Sequence, residues 1–225
     1  MSRPKTKYLI LDTETAPPMT SPLVYDLGMK VIDKMGKTYA RYSFVIADTF
    51  LDMADICNSA YYAWKFPAYQ EEIDMGKRRV VSWDMARMIA NALIAKWNVR
   101  GVCAYNAEFD KLALDSTMKR LNKKGSFFQY NIDWWDIWTM AHDTVCNQKL
   151  YKEFCIKNGF LTKHKTPQIR RNAETVYRYM KQQPDFIESH TGAEDTDIEA
   201  EIFAYCFRQH KAMRHSMHKL TKFAK

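Results

Sequence analysis

Five residues of this 225-residue chain are of types and in settings that could do hydrolytic chemistry. They are Asp12 and Glu14 in KYLILDTET, Asp110 in NAEFD, and His190 and Asp195 in HTGAED. Side chains alternate along a strand, so Asp12 and Glu14 point to one face while Leu11 and Thr13 point to the other. Two acids on an otherwise apolar strand repel each other and lose solvation, and the neighbouring sequence offers no cation to offset that cost. Asp110 shares a helical stripe with Leu114, Thr117, Met118 and Leu121. Taken alone, it is explained by the helix dipole, which favours an acid in a first turn. Asp195 heads the stripe Ile198, Ile202 and Cys206, whereas Asp197 and Glu201 face elsewhere. All four acids become explicable together if they line one site for two Mg2+ or Mn2+ ions, which take hard oxygen ligands.

The elements that must position these residues are legible in outline. KYLILDTET reads as a buried strand closed by Pro17 and Pro18. MKVIDKMGKTYARYSFVIADTF holds two strand-like runs around Asp33 to Lys37, with Gly36 supplying a left-handed turn, so three strands open the chain. The aromatic stretch 50–80 stays unassigned, interrupted by Pro67. Ser82 is a candidate N-cap for an amphipathic helix with Met85, Met88, Ile89, Ala92 and Leu93 at helical spacing. VRGVCAY reads as a short strand, AEFDKLALDSTMKRL as a helix after Asn106, and NIDWWDIWTMA as a strand turning into a helix near Asp136. Residues 147–157, 171–181 and 191–213 read as helices, separated by Gly159, Pro167 and Pro184. Thr191 and Glu194 fit a capping box that starts the last helix at Gly192, with His190 just before it.

LDTET, NAEFD and HTGAED resemble, in order and spacing, the three exonuclease motifs DxE, NxxFD and HxxxxD of the DEDDh-type 3′→5′ exonucleases. The resemblance spans residues 5–213 apart from the aromatic stretch. That family includes polymerase proofreading exonucleases, and FIESHTGAEDTDIEAEI looks most like its phage-borne members. The resemblance implies an α/β, ribonuclease H-like fold: a mixed five-stranded sheet, its first three strands antiparallel, flanked by α-helices. It implies Asp12, Glu14, Asp110 and Asp195 as ligands of two divalent ions, with Asp12 bridging them. His190 would be the general base that takes a proton from the attacking water, and the products would be nucleoside 5′-monophosphates. Thr15 resembles the residue whose backbone meets the 3′ end, and Phe109 the one that packs on the terminal bases. For Asn106 and Phe109, capping and core packing are equal alternatives to substrate contact. Asp136 matches a recurrent aspartate whose expected role is structural. The YxxxD pattern of the tyrosine variant is absent ahead of Asp195, where HTGAED stands instead.

Composition agrees without deciding. Lys and Arg exceed Asp and Glu by 34 to 26, a formal charge of +8 that suits a polyanionic partner. With 47% hydrophobic and 14% aromatic residues, the chain can bury a core as a single domain over 1–225, ending in a basic tail around 211–225. Five cysteines with no CxxC pair argue against a disulfide framework and for a reducing, cytoplasmic setting. No apolar run reaches membrane-spanning length. His142, Cys146, Cys155 and His164 lack zinc-finger spacing, and Trp134, Trp135 and Trp138 read as core. The expected partner is nucleic acid with a free 3′ end, DNA or RNA, with a polymerase or replication protein as a further candidate. The rival expectations are a catalytically silent nucleic-acid binding module and a structure-selective endonuclease on the same fold.

Overall fold

The computed structural model describes residues 5–188 and 190–217; Ser189 and most of the basic tail, 218–225, lie outside them. The first strand, β1 (Lys7–Ala16), pairs antiparallel with β2 (Leu23–Asp33), which pairs antiparallel with β3 (Thr38–Ile46). Gly36 takes the expected left-handed conformation between them, with φ 84°. The second strand begins at Leu23, earlier than the apolar run from Met29 suggests, because its pairing with β1 continues to Ala16.

The stretch 50–80 folds into short helices, α1 (Ala47–Phe50), α2 (Ala54–Cys57), a 3-10 turn (Ala63–Lys65) and α3 (Phe66–Asp74), and ends in β4 (Arg79–Val81). The last of these adds itself in parallel to β3, so the sheet among the described residues has six strands rather than the five expected. Phe50, Cys57 and Tyr69 of this stretch bury against Ala16, Leu23, Tyr25 and Val45, a small core of their own at one end of the sheet.

The rest follows the alternation read from the sequence: α4 (Trp83–Trp97), β5 (Val99–Ala104), α5 (Ala107–Arg120), β6 (Asp133–Asp136) and α6 (Ile137–Ala141), with one π turn continuing it to Cys146. Three helices close the order: α7 (Lys149–Lys157), α8 (Ala173–Lys181) and α9 (Gly192–Arg208). The Ser82 hydroxyl caps α4 by accepting the Met85 N–H at 3.2 Å. The buried face of that helix, however, is Trp83, Ala86, Ala90, Leu93 and Ile94, while Met85 and Met88 are exposed. Small alanines let the helix lie close to the sheet, and this face won over the methionine stripe.

The strands lie in the order β4-β3-β2-β1-β5-β6, with β1, β5 and β6 parallel to one another. Leu9 and Leu11 pack on one side with residues of α4 and α5, and Tyr8 and Ile10 on the other with residues of α6, α8 and α9. By the same alternation Asp12 and Glu14 continue the second face. The carboxyl ends of the parallel strands gather Asp12, Asn106 and Asp136 at one edge, the usual place for a site in such sheets.

Candidate metal centre

Two glycines set the height at which α9 meets the sheet. Gly28 is the β2 partner of Asp12, and a Cβ there would lie 1.7 Å from the Gly192 carbonyl oxygen; one on Gly192 would lie 2.6 Å from the Gly28 nitrogen. Only a backbone-to-backbone contact fits, so the first turn of α9 rests directly on the sheet and Asp195 is carried to Asp12 and Glu14. The start of α9 differs from the expected capping box. The Thr191 hydroxyl bonds the Glu194 carboxyl at 3.2 Å instead of a backbone N–H. It is Asp26, from β2, that accepts the Gly192 N–H at 3.4 Å.

Asp110 arrives from the opposite helix layer, at the start of α5, and its Oδ1 accepts both the Thr13 N–H (3.1 Å) and the Thr13 hydroxyl (2.8 Å). Asn106 does not cap that helix with its side chain. It sits in the left-handed region, with φ 72°, and gives its N–H to Asp136 Oδ1 at 3.1 Å. The same oxygen of Asp136 caps α6 through the Trp138 N–H at 2.9 Å, so the fully buried Asp136 ties two helix starts together. Phe109 is half-buried on the first turn of α5, and Thr15 follows the β-bulge that breaks the β1–β2 register after Glu14. Trp134 and Trp135 pack with the core and Trp138 stacks on His142; Cys146 and Cys155 are core residues.

His190 stands at φ 52°, a left-handed conformation that costs a non-glycine residue about 1 kcal/mol or more. Its Nδ1 is 4.0 Å from Asp195 Oδ2 and 3.7 Å from Glu188 Oε2. One ligand atom each from Glu14, His190 and Asp195 lie within 4.8 Å of one another. The aromatic stretch, not assigned from the sequence, supplies two contacts here: the Tyr62 ring stacks on the imidazole at 4.5 Å, and Lys65 Nζ donates to the His190 carbonyl at 3.0 Å. Lys65 is also the cation that the sequence around Asp12 lacked; its charge bears on both Glu14 and Asp195. Asp197 and Glu201 do face elsewhere, Asp197 onto Lys30 and Arg41, Glu201 onto Lys181.

The electrostatics are those of acids crowded away from water. Burial lifts the Asp12 carboxyl well above its usual range, and the neighbouring Asp195, Glu199, Asp110 and Glu14 lift it further. Burial and Asp195 raise Glu14 to about 9, and burial and Glu188 raise Asp195 to about 8. Burial takes Asp110 to about 7 against the two Thr13 hydrogen bonds. His190 is pushed below its usual value by burial and then by Lys65, which keeps its imidazole neutral and able to accept a proton. Asp12 Oδ2, Asp195 Oδ1 and Glu199 Oε2 are buried with no hydrogen-bond partner among the described residues. Buried carboxyl oxygens left open in this way match the donor set a hard divalent cation takes, so the residues fit such an ion. Glu199, three per cent exposed, is the member the sequence reading missed. Its spacing of four from Asp195 was the available signal.

No protein-family model matches the chain, and no curated protein matches it. Solved structures do. The chain is similar to E. coli exonuclease I in complex with a 5cy-dT13 oligonucleotide, with TM-score 0.51 at 14% identity, covering 91% of this chain and 41% of that one. A product-bound structure of exonuclease I aligns with TM-score 0.52 at 12% identity, covering 91% and 46%. The chain thus spans less than half the length of these proteins. The likeness shows the fold, which is the ribonuclease H-like fold of those exonucleases.

Proposed function

We propose that this chain is a divalent-metal-dependent 3′→5′ exonuclease acting on nucleic acid. The observation that carries the reading is the cluster of Glu14, His190 and Asp195, with Asp12 near enough to feel the charges of Asp195, Asp110 and Glu14, open buried oxygens on Asp12 and Asp195, and a neutral, partly exposed imidazole. Asp12, Glu14, Asp110 and Asp195 would hold two Mg2+ or Mn2+ ions. When bound, such ions supply positive charge to a phosphodiester and make water more acidic. His190 accepts the proton of the attacking water at its ring nitrogen; the Tyr62 stack holds that ring, and Lys65 holds the His190 main-chain carbonyl. Thr15, Asn106 and Phe109 lie on the elements that carry Glu14 and Asp110, and would receive the terminal nucleotide. The dT13 oligonucleotide in the exonuclease I complex supports an oligodeoxynucleotide as a substrate of the kind proposed. The formal charge of +8 agrees with a polyanion.

The test is a 5′-labelled single-stranded oligonucleotide, DNA and RNA in parallel, with Mg2+. A ladder shortening from the 3′ end, with nucleoside 5′-monophosphate released, is expected. It should vanish with EDTA and fall by about 10^3-fold or more in Asp12→Ala. No product from either polymer would sink the reading, and internal cuts would favour an endonuclease. Full activity in His190→Ala would remove the assigned base.

A further inference from the structure

We propose that Glu199 is a fifth carboxylate of the divalent-cation site, beside Asp12, Asp110 and Asp195. The inference rests on the metal-dependent reading above and deepens it. Asp195 and Glu199 are four residues apart in α9 and therefore stand one turn apart on one face of the helix. Both are buried, and the stripe they head continues into the dry core through Ile202, Phe203 and Cys206. One side of the Glu199 carboxyl is fixed by the Tyr105 N–H, at the end of β5, and the acids bearing on it most are Asp110 and then Asp195. Its other oxygen, Oε2, has no partner among the described residues.

That open oxygen separates two accounts of the residue. A glutamic acid kept in a core for structural reasons carries a proton, and the proton is given to an acceptor. A carboxylate that serves an ion leaves an oxygen free, with its unpaired neighbours doing the same. Asp12 Oδ2 and Asp195 Oδ1 are in that condition, and the charge of Glu199 bears on Asp12 next after that of Asp195. Lys65, the cation from the aromatic stretch, bears on Glu14 and Asp195.

The test is a thermal-unfolding titration of the full chain with Mn2+ alone, starting from EDTA and without nucleic acid. The wild-type midpoint should rise with Mn2+ by mass action. Glu199→Gln, which keeps the shape and removes the charge, should need about tenfold more Mn2+ for the same rise, within the range that groups supporting a metal site command. In EDTA it should unfold no earlier than the wild type. A Glu199→Gln titration that overlays the wild type overturns the inference while leaving the metal site standing. A wild type that ignores Mn2+ overturns both. Should Glu199→Gln fail to fold, as judged by circular dichroism in EDTA, Glu199→Asp keeps the charge on a shorter arm. Weaker Mn2+ stabilisation supports the inference, and an unchanged titration overturns it.

Discussion

Two groups of buried acids, both touching β2 or its neighbours, have been treated in opposite ways. Asp26, fully buried, receives Arg78 at 2.9 Å, the Tyr69 hydroxyl at 2.8 Å, and the Gly192 N–H and Ser43 hydroxyl at 3.4 Å. Asp33, one per cent exposed, receives the Met35 and Lys37 N–H groups and the Tyr39 hydroxyl. Both are satisfied by the protein. Across the same sheet, Asp12, Asp195 and Glu199 keep oxygens with no partner among the described residues. Burial of an acid therefore does not mark a site in this fold; the open buried oxygens of Asp12, Asp195 and Glu199 do, because leaving such a group unpaired costs more than the hydrogen bond that would satisfy it.

The largest effect on stability should come from breaking the satisfied group. Arg78→Met leaves Asp26 buried without its cation and should cost about 3–5 kcal/mol in urea unfolding. A loss below about 1 kcal/mol would mean that Tyr69 and the start of α9 suffice, and the contrast with Asp12 would narrow.

The second prediction concerns pH. In EDTA, Glu14, Asp110 and Asp195 hold their protons more tightly folded than unfolded, with folded values of about 9, 7 and 8. Unfolded carboxyls ionise near pH ~4, so above that the folded chain binds more protons and stability should fall as pH rises towards pH ~8 or ~9. Asp33 works in reverse. Burial opposes its ionisation, but the donors outweigh burial and hold its carboxyl below the usual range, so its contribution disappears as the medium becomes more acidic. Saturating Mn2+ should flatten the alkaline fall; a flat profile already in EDTA would contradict the unsatisfied character of the cluster.

A smaller loss is expected where the two groups share a support. Gly192→Ala would push α9 off the Gly28 backbone and should cost about 1–3 kcal/mol, as overpacking does, and weaken the response to Mn2+ because Asp195 rides on the same helix. Unchanged melting with an unchanged Mn2+ titration would show that the glycine contact does not set the site. The smallest change has the opposite sign: Asp12→Asn in EDTA should raise stability by about 1 kcal/mol at alkaline pH, where the crowded carboxyls would ionise, while abolishing most Mn2+ stabilisation. A drop in EDTA stability would mean that Asp12 supports the apo fold.

Much of this was legible before any tertiary contact. The β1 run into Asp12 and Glu14, the Gly36 turn, the helix start before Asp110 and the first turn at Asp195 are local patterns of alternation and helical spacing, and they stand where the sequence puts them. The failures share one cause. The α4 face was misread because an alanine-lined surface approaches the sheet more closely than a methionine one, and the Thr191 cap gave way to Asp26, which lies 166 positions from the Gly192 N–H it accepts. Glu199 was passed over because an acid inside a helix reads as a solvent face until its surroundings are known.

The sequence by itself determined the chemistry on offer: four carboxylates and one imidazole, their faces on strand or helix fixed by backbone geometry that holds for any chain. Only the tertiary structure decided which buried acids are satisfied and which stay open. It brought Lys65 and Tyr62 from an unassigned stretch to a histidine 125 residues beyond Lys65, and Arg78 to Asp26 across the sheet edge. The reason is that a side chain's type and facing are local properties. The donors that do or do not reach it depend on how distant segments pack.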